Sequence, residues 1–222
     1  MKEHGAYSAE EAASYESARE VEPLWRVENA YVSNLVSRLQ GMSILDVPVG
    51  TGRFLEFYGG RHVIGVDLSE SMLDKARERA SALGMPHTTL VQGSVTQLPF
   101  GDAEFDLVLC WRLLHLLPPE SLAPALAEMA RVCRGTLCIQ IYERAILQQR
   151  MLAKAKRWVR RIGLIATQRR RLTPWSHIRA YNHSRQEIDR AARAAGLGLP
   201  TTRDPLGSYE GTNLFALQWI RG

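Results

Sequence analysis

The sequence predicts an α/β fold built as a doubly wound, Rossmann-like sheet, and three observations carry that prediction. Ser43 to Val49 is a short apolar run holding one acid, Asp46, the pattern of a strand buried on both faces. Gly50-Thr51-Gly52 interrupts the run, and Arg53-Phe54-Leu55-Glu56-Phe57 resumes with helical character. His62 to Ser69 then reads as a second apolar strand, reaching Asp67 21 residues after Asp46. At that spacing a doubly wound fold sets a carboxylate on the ribose hydroxyls of a nucleoside ligand.

The glycine turn has a chemical reading of its own. A strand, a turn and a helix start leave free backbone N–H groups at the positive end of a helix dipole. Glycine suits the turn because a Cβ would keep a ligand from the backbone. Asp46, just before it, can accept hydrogen bonds from a cationic or hydroxylated ligand group.

At 222 residues the chain fits a single α/β domain. Its 45% apolar and 23% charged residues are those of a globular protein rather than a disordered one. Cys110, Cys133 and Cys138 are odd in number, lack metal-type spacing and fall in apolar runs, so they read as reduced core residues of a cytoplasmic protein. No signal peptide or membrane span is visible, since Met1 to Glu20 is polar and acidic. The net charge of +5 is unevenly spread. From Arg144 to Gln186 there is no acid but 12 of the 28 basic residues, which leaves 16 against 23 acids elsewhere.

Taken in order, Ser8-Ala9-Glu10-Glu11 is a capping box that starts a helix at Ala9, running to about Glu20. Leu24 to Leu39 follows as a second helix with Leu24, Val27, Tyr31, Leu35 and Leu39 on one side. After the second strand, Met72, Ala76, Ala80 and Leu83 mark a helix face that Gly84 ends. His87 to Gln92 is the third strand and Phe105 to Trp111 the fourth. Leu122, Leu126, Met129 and Cys133 form the inner face of the next helix, and Thr136 to Tyr142 the fifth strand. Within the basic window Leu147, Met151, Ala155, Trp158, Ile162 and Ile165 recur at helical spacing. Ser184-Arg185-Gln186-Glu187 is a second capping box, opening a last helix with Ile188, Ala191, Ala192 and Ala195 inward, closed by Gly196. Asn213 to Ile220 ends the chain as a strand.

With these elements in place, the chain resembles the class I S-adenosylmethionine-dependent methyltransferases. The likeness rests on Asp46-Val47-Pro48-Val49-Gly50-Thr51-Gly52-Arg53 and Val66-Asp67-Leu68-Ser69-Glu70-Ser71-Met72-Leu73. It continues through Gly93-Ser94-Val95-Thr96-Gln97-Leu98-Pro99-Phe100 and Phe105-Asp106-Leu107-Val108-Leu109-Cys110, four motifs in order over roughly residues 43–142. The resemblance implies a seven-stranded sheet whose last strand runs antiparallel beside the fifth. It implies S-adenosyl-L-methionine as methyl donor and S-adenosyl-L-homocysteine as product. Backbone at Gly50, Thr51 and Gly52 would meet the methionine moiety, with Asp46 orienting its amino group directly or through water. Asp67 would take the ribose, Leu68 and Met72 would flank the adenine, and Ser94 and Val95 would lie at its edge. An acid is common in the family where Ser94 stands, so here a hydroxyl or backbone contact replaces it. Residues 1–40 would form a helical cap over the donor, with Tyr15, Trp25 and Tyr31 either lining the pocket or packing onto the sheet.

Ligands of doubly wound sheets bind beyond the carboxyl ends of the strands, so Trp111 to His115 should border the reacting methyl group. His115 is either a general base titrating near working pH or a space-filling residue between leucines. Arg112 is either an ion-pair partner or a substrate anchor. Methyl transfer requires no metal, and no metal cluster is expected. A dinucleotide oxidoreductase is disfavoured because Leu55 stands where a third glycine would. Residues 144–183 occupy the place of a family substrate lid. They fit a grip on an anionic small molecule, a nucleic-acid backbone or an anionic lipid surface, or else a solvated helix. The expected acceptor is small or glycan-like and anionic, methylated at O or N. The alternatives are an RNA methyltransferase, or a methyltransferase-like binding module docking on nucleic acid or anionic membrane.

Overall fold

In a computed structural model, which describes residues 9–20, 22, 24–39, 43–144, 180–181, 183–209 and 212–221, Ser43–Asp46 forms β1 near the middle of the sheet. It pairs in parallel with His62–Asp67 (β2) on one side and Phe105–Cys110 (β4) on the other. Thr88–Gln92 (β3) lies parallel to β2, and Cys133–Arg144 (β5) parallel to β4. Thr212–Ile220 (β7) runs antiparallel between β5 and Thr202–Tyr209 (β6), giving the order β3-β2-β1-β4-β5-β7-β6. The order reverses between β1 and β4, and such a switch point opens a crevice at the carboxyl ends of the strands.

Alternation along β1 shows how helices come to cover both faces. Ile44 packs with Val32 and Leu35 of Trp25–Arg38 (α2) and with Leu55 and Tyr58 of Leu55–Tyr58 (α3). Leu45, pointing the other way, shares a buried cluster with Leu122, Leu126 and Met129 of Pro119–Val132 (α5) and Ile188 of Arg185–Ala194 (α6). Ala9–Glu20 (α1) and Glu70–Ala82 (α4) complete the α-helices among the described residues, and Leu114–Leu116 forms a short 3-10 turn. The three cysteines are unbridged and buried, as core residues should be.

Several expectations change in detail. Capping at Ser184 forms in full: Glu187 N–H donates to Ser184 Oγ at 3.3 Å and Ser184 N–H to Glu187 Oε2 at 2.7 Å. Cys133 is not on a helix; α5 stops at Val132 and β5 begins there, three residues earlier than its apolar pattern suggests. The inner face of α2 is turned from the one expected: Val27 is exposed, while Trp25, Glu28, Val32, Leu35 and Val36 are buried. Leu83 is also exposed, beyond the end of α4. β6 has no clear strand signal, because Pro205 and Gly207 read as turn residues. As an edge strand with a register shift at those positions, it tolerates both. The helix expected within 147–165, and Ser8 of the first capping box, lie outside the described residues. Among the described residues no helix is long and apolar enough to cross a membrane.

Candidate active site

A cavity opens at the carboxyl ends of β1, β2, β3 and β4. Its walls include Gly50 and Thr51 after β1, Asp67 and Leu68 at the end of β2, Met72 on α4, Ser94 and Val95 after β3, and Trp111 after β4. Eight of the sequence-expected site residues therefore share one surface. Asp46, Gly52 and His115 are not among the lining residues.

The loop after β1 and the acid ending β2 form one unit. Asp67 Oδ2 accepts the Gly50 N–H at 2.9 Å, and its Oδ1 accepts the Ser69 N–H at 2.9 Å. Burial pushes the Asp67 carboxyl up, and the N–H groups of Ser69, Gly50 and Leu68 oppose that rise. Each carboxylate oxygen can still accept a second hydrogen bond from a ligand. Gly50 has a left-handed φ of +56°, and a Cβ added there meets no protein atom within 4 Å. Gly50 also lines the cavity, so glycine keeps the backbone there open to a ligand. Gly52 serves a different purpose: at φ +79° its Cβ would fall 2.7 Å from Leu55 Cδ1 and 3.3 Å from Ala76 Cα. Its bareness lets the loop press against α3 and α4.

Asp46 lies behind this wall, 1% exposed, with Tyr58 Oη donating to Oδ2 at 2.7 Å and no partner on Oδ1. Burial, against the Tyr58 bond and with the charge of Asp67 adding, pushes its pKa up to about 7. At the far edge, Ser94 Oγ shares a hydrogen bond with Thr96 Oγ1 at 2.9 Å while Ser94 lines the cavity.

On the opposite side Trp111 meets Phe54 edge-on, with ring centroids 5.9 Å apart. Arg112 follows with φ +57°, a left-handed conformation that costs a residue with a Cβ about 1–2 kcal/mol. Its N–H donates to Gln140 Oε1 at 3.1 Å, and its guanidinium donates to Glu28 and Glu22. Glu28, wholly buried on α2, also accepts from Arg53 Nη1 at 2.7 Å and Gln140 Nε2 at 2.7 Å. Arg53 is stacked on Trp25, its Cζ 3.4 Å from the ring centroid, and donates to Asn29 and to the Trp25 carbonyl. Glu28 thus ties α2 to the loop after β1 and to the wall after β4. Sequence reasoning missed it; the available signal was an acid four residues before Val32 and seven before Leu35, on the buried face of its helix.

His115 is set back from the wall. Its ring packs against Tyr142 with centroids 4.3 Å apart, and Leu113, Leu116 and Leu117 line the cavity around it. This segment is fixed from behind, where Tyr181 N–H donates to the His115 carbonyl at 2.6 Å. His183 Nε2 lies 3.0 Å from the carbonyls of both Leu114 and Leu117, so it carries the proton. Of the three cap aromatics, Tyr15 lines the cavity. Trp25 covers Arg53, and Tyr31 donates to Asp204 Oδ2 at 2.7 Å.

Comparison with known proteins places this geometry. A family model described as a methyltransferase domain matches residues 44–136. The chain is 41% identical over 98 residues to a phosphatidylethanolamine N-methyltransferase of Cereibacter sphaeroides, covering 43% of this chain and 47% of that protein. It is 39% identical over 95 residues to a malonyl-[acyl-carrier protein] O-methyltransferase of Erwinia pyrifoliae, covering 42% of this chain and 34% of that one. The chain therefore spans less than half the length of these curated relatives. In fold it is similar to magnesium protoporphyrin IX methyltransferase of Synechocystis, at TM-score 0.65 and 20% identity over 89% of this chain and 84% of that one. It is also similar to 1,6-didemethyltoxoflavin-N1-methyltransferase of Burkholderia thailandensis, at TM-score 0.64 and 19% identity over 96% and 86%. Residues 44–136 are thus a methyltransferase domain, and the strand order and glycine loop are those of a Rossmann-like methyltransferase fold.

Proposed function

We propose that the chain transfers a methyl group from S-adenosylmethionine to the O or N of a small or carrier-linked acceptor bearing an anionic group. The observation that supports this most is the paired geometry of Gly50 and Asp67: open space above the glycine and a carboxylate beside it on one cavity wall. When bound, the donor supplies a methyl group already activated on a sulfonium. The chain has to hold that group, align the acceptor and exclude water.

Gly50 and Thr51 border the methionine end, Asp67 the ribose, Leu68 and Met72 the adenine faces, and Ser94 and Val95 its edge. Asp46 acts from beneath the loop, its unpartnered Oδ1 suiting it to accept from an ammonium group through a small shift or a water. Trp111, Leu113, Leu116 and Leu117 form the apolar wall where the acceptor would lie, and Arg112 supplies positive charge there. His115 is not among the lining residues and its ring packs against Tyr142, which favours the packing reading over the general base. The two curated relatives are named for a phospholipid and for an acyl group on a carrier protein, which supports a small or carrier-linked acceptor over a polynucleotide.

Calorimetric titration with S-adenosylmethionine, followed by mass spectrometry of S-adenosylhomocysteine release across a panel of carboxylated and phosphorylated acceptors, tests the reading. Saturable donor binding with turnover of one anionic acceptor is expected. A folded protein that takes up no donor would overturn it.

A further inference from the structure

We propose that Arg112 holds a carboxylate of the methyl acceptor, and that Glu22 occupies this position until the acceptor displaces it. The proposal rests on reading the cavity as a methyl-transfer site and names the group that the acceptor presents to it.

Arg112 lines the cavity directly after Trp111. Its backbone is held in the left-handed region, with the N–H fixed by Gln140. Strained backbone retained at a cavity wall points to a side chain whose placement matters. The guanidinium uses Nε and Nη2 toward Glu28 and Nη2 toward Glu22, while Nη1 takes part in none of these bonds. A planar fork of this kind matches a carboxylate bidentately.

Charge balance shows which partner can leave. Arg53 and Arg112 share the Glu28 carboxylate, which leaves one positive charge in excess; Glu22 cancels it. The Glu28 side chain is 0% exposed, and displacing it would strand two buried arginines. The Glu22 side chain is 16% exposed, on the short connection between α1 and α2, and bonds Arg112 Nη2 at 2.8 Å. Its carboxylate stands in for that of a ligand. Leu113, Leu116, Leu117 and Trp111 provide an apolar surface for the rest of the acceptor, and their low polarity strengthens the charge pairing.

The test is calorimetric titration of the protein loaded with S-adenosylhomocysteine, using benzoate and its neutral counterpart benzamide as probes. Benzoate is expected to bind about tenfold or more tightly than benzamide, as a charge-assisted bond predicts. Glu22→Gln removes the competing charge and should tighten benzoate several-fold, whereas Arg112→Lys, which keeps charge but loses the fork, should weaken it. A merely structural Arg112 would not give tighter binding in E22Q. Equal affinities for benzoate and benzamide, or an unchanged or weaker benzoate affinity in E22Q, would overturn the proposal. If R112K does not fold, E22Q alone decides. Failure of the wild-type protein to take up S-adenosylhomocysteine would overturn the methyltransferase reading instead. The same two probes on donor-free protein then still decide the role of Arg112.

Discussion

Asp67 Oδ2 accepts the Gly50 N–H at 2.9 Å, so the acid at the end of β2 and the glycine after β1 are mechanically one device. The carboxylate shapes the loop at the same time as it faces the cavity. Two features that look like separate motifs in the sequence therefore fail together when either is changed.

Asp67→Ala is expected to weaken S-adenosylmethionine binding by about 1–3 kcal/mol through loss of charge-assisted bonds to the ribose. The Gly50 and Ser69 N–H groups lose their acceptor as well, so thermal stability should also fall. Calorimetry on the folded variant checks the first effect and a melting curve the second. Unchanged donor affinity would remove Asp67 from the donor site.

Gly50→Val should abolish donor binding while the sheet still forms. The added Cβ meets no protein atom within 4 Å at a residue that lines the cavity, and the φ of +56° adds local strain of about 1–2 kcal/mol. Circular dichroism would report the retained fold and titration the lost ligand. Normal donor binding would show that the open space serves something else.

Glu28→Gln is expected to destabilise the fold by about 3–5 kcal/mol, because Arg53 and Arg112 would share a buried site without their common carboxylate. Denaturant unfolding measures this directly. An effect below about 1 kcal/mol, the scale of an exposed ion pair, would mean that water reaches the cluster.

His115→Ala should lower the melting temperature through loss of the Tyr142 contact while turnover per folded molecule stays within about tenfold. A fall of 10²-fold or more with donor affinity kept is the size expected of a lost general base, and would bring His115 to the reacting atoms after all.

The pH dependence follows from Asp46. Its carboxyl is pushed up to about 7 in the folded chain, against an ordinary value of about 4 when unfolded. Between these values the folded state binds the extra proton, so stability falls as pH rises through the window and levels off above it. Asp46→Asn should flatten that slope, whose limit for one proton is about 1.4 kcal/mol per pH unit. Unfolding free energies at pH 5 and pH 7 check it. An equal drop in both proteins would assign the slope to another group, with Asp67, also raised by burial, the first to examine.

What was legible in the sequence was local. The runs that become β1 to β5, the glycine loop, Asp67 and the Ser184 capping box each depend on residues within one or two turns of each other, and periodicity and turn chemistry report such patterns. Tertiary contact decided the rest. Glu28 looks like a solvated helix acid until Arg53, Arg112 and Gln140 converge on it from 25, 84 and 112 residues away. Val27 is exposed on α2, whose buried face carries Glu28 and Trp25 instead. β6 exists because β7 offers it an edge, which outweighs the turn preference of Pro205 and Gly207. His115 packs against Tyr142 of β5, and the returning segment at Tyr181 and His183 fixes its loop. Local pattern named the elements and the glycine loop. Which side chains face the cavity was settled by burial and pairing across distances that no sequence window spans.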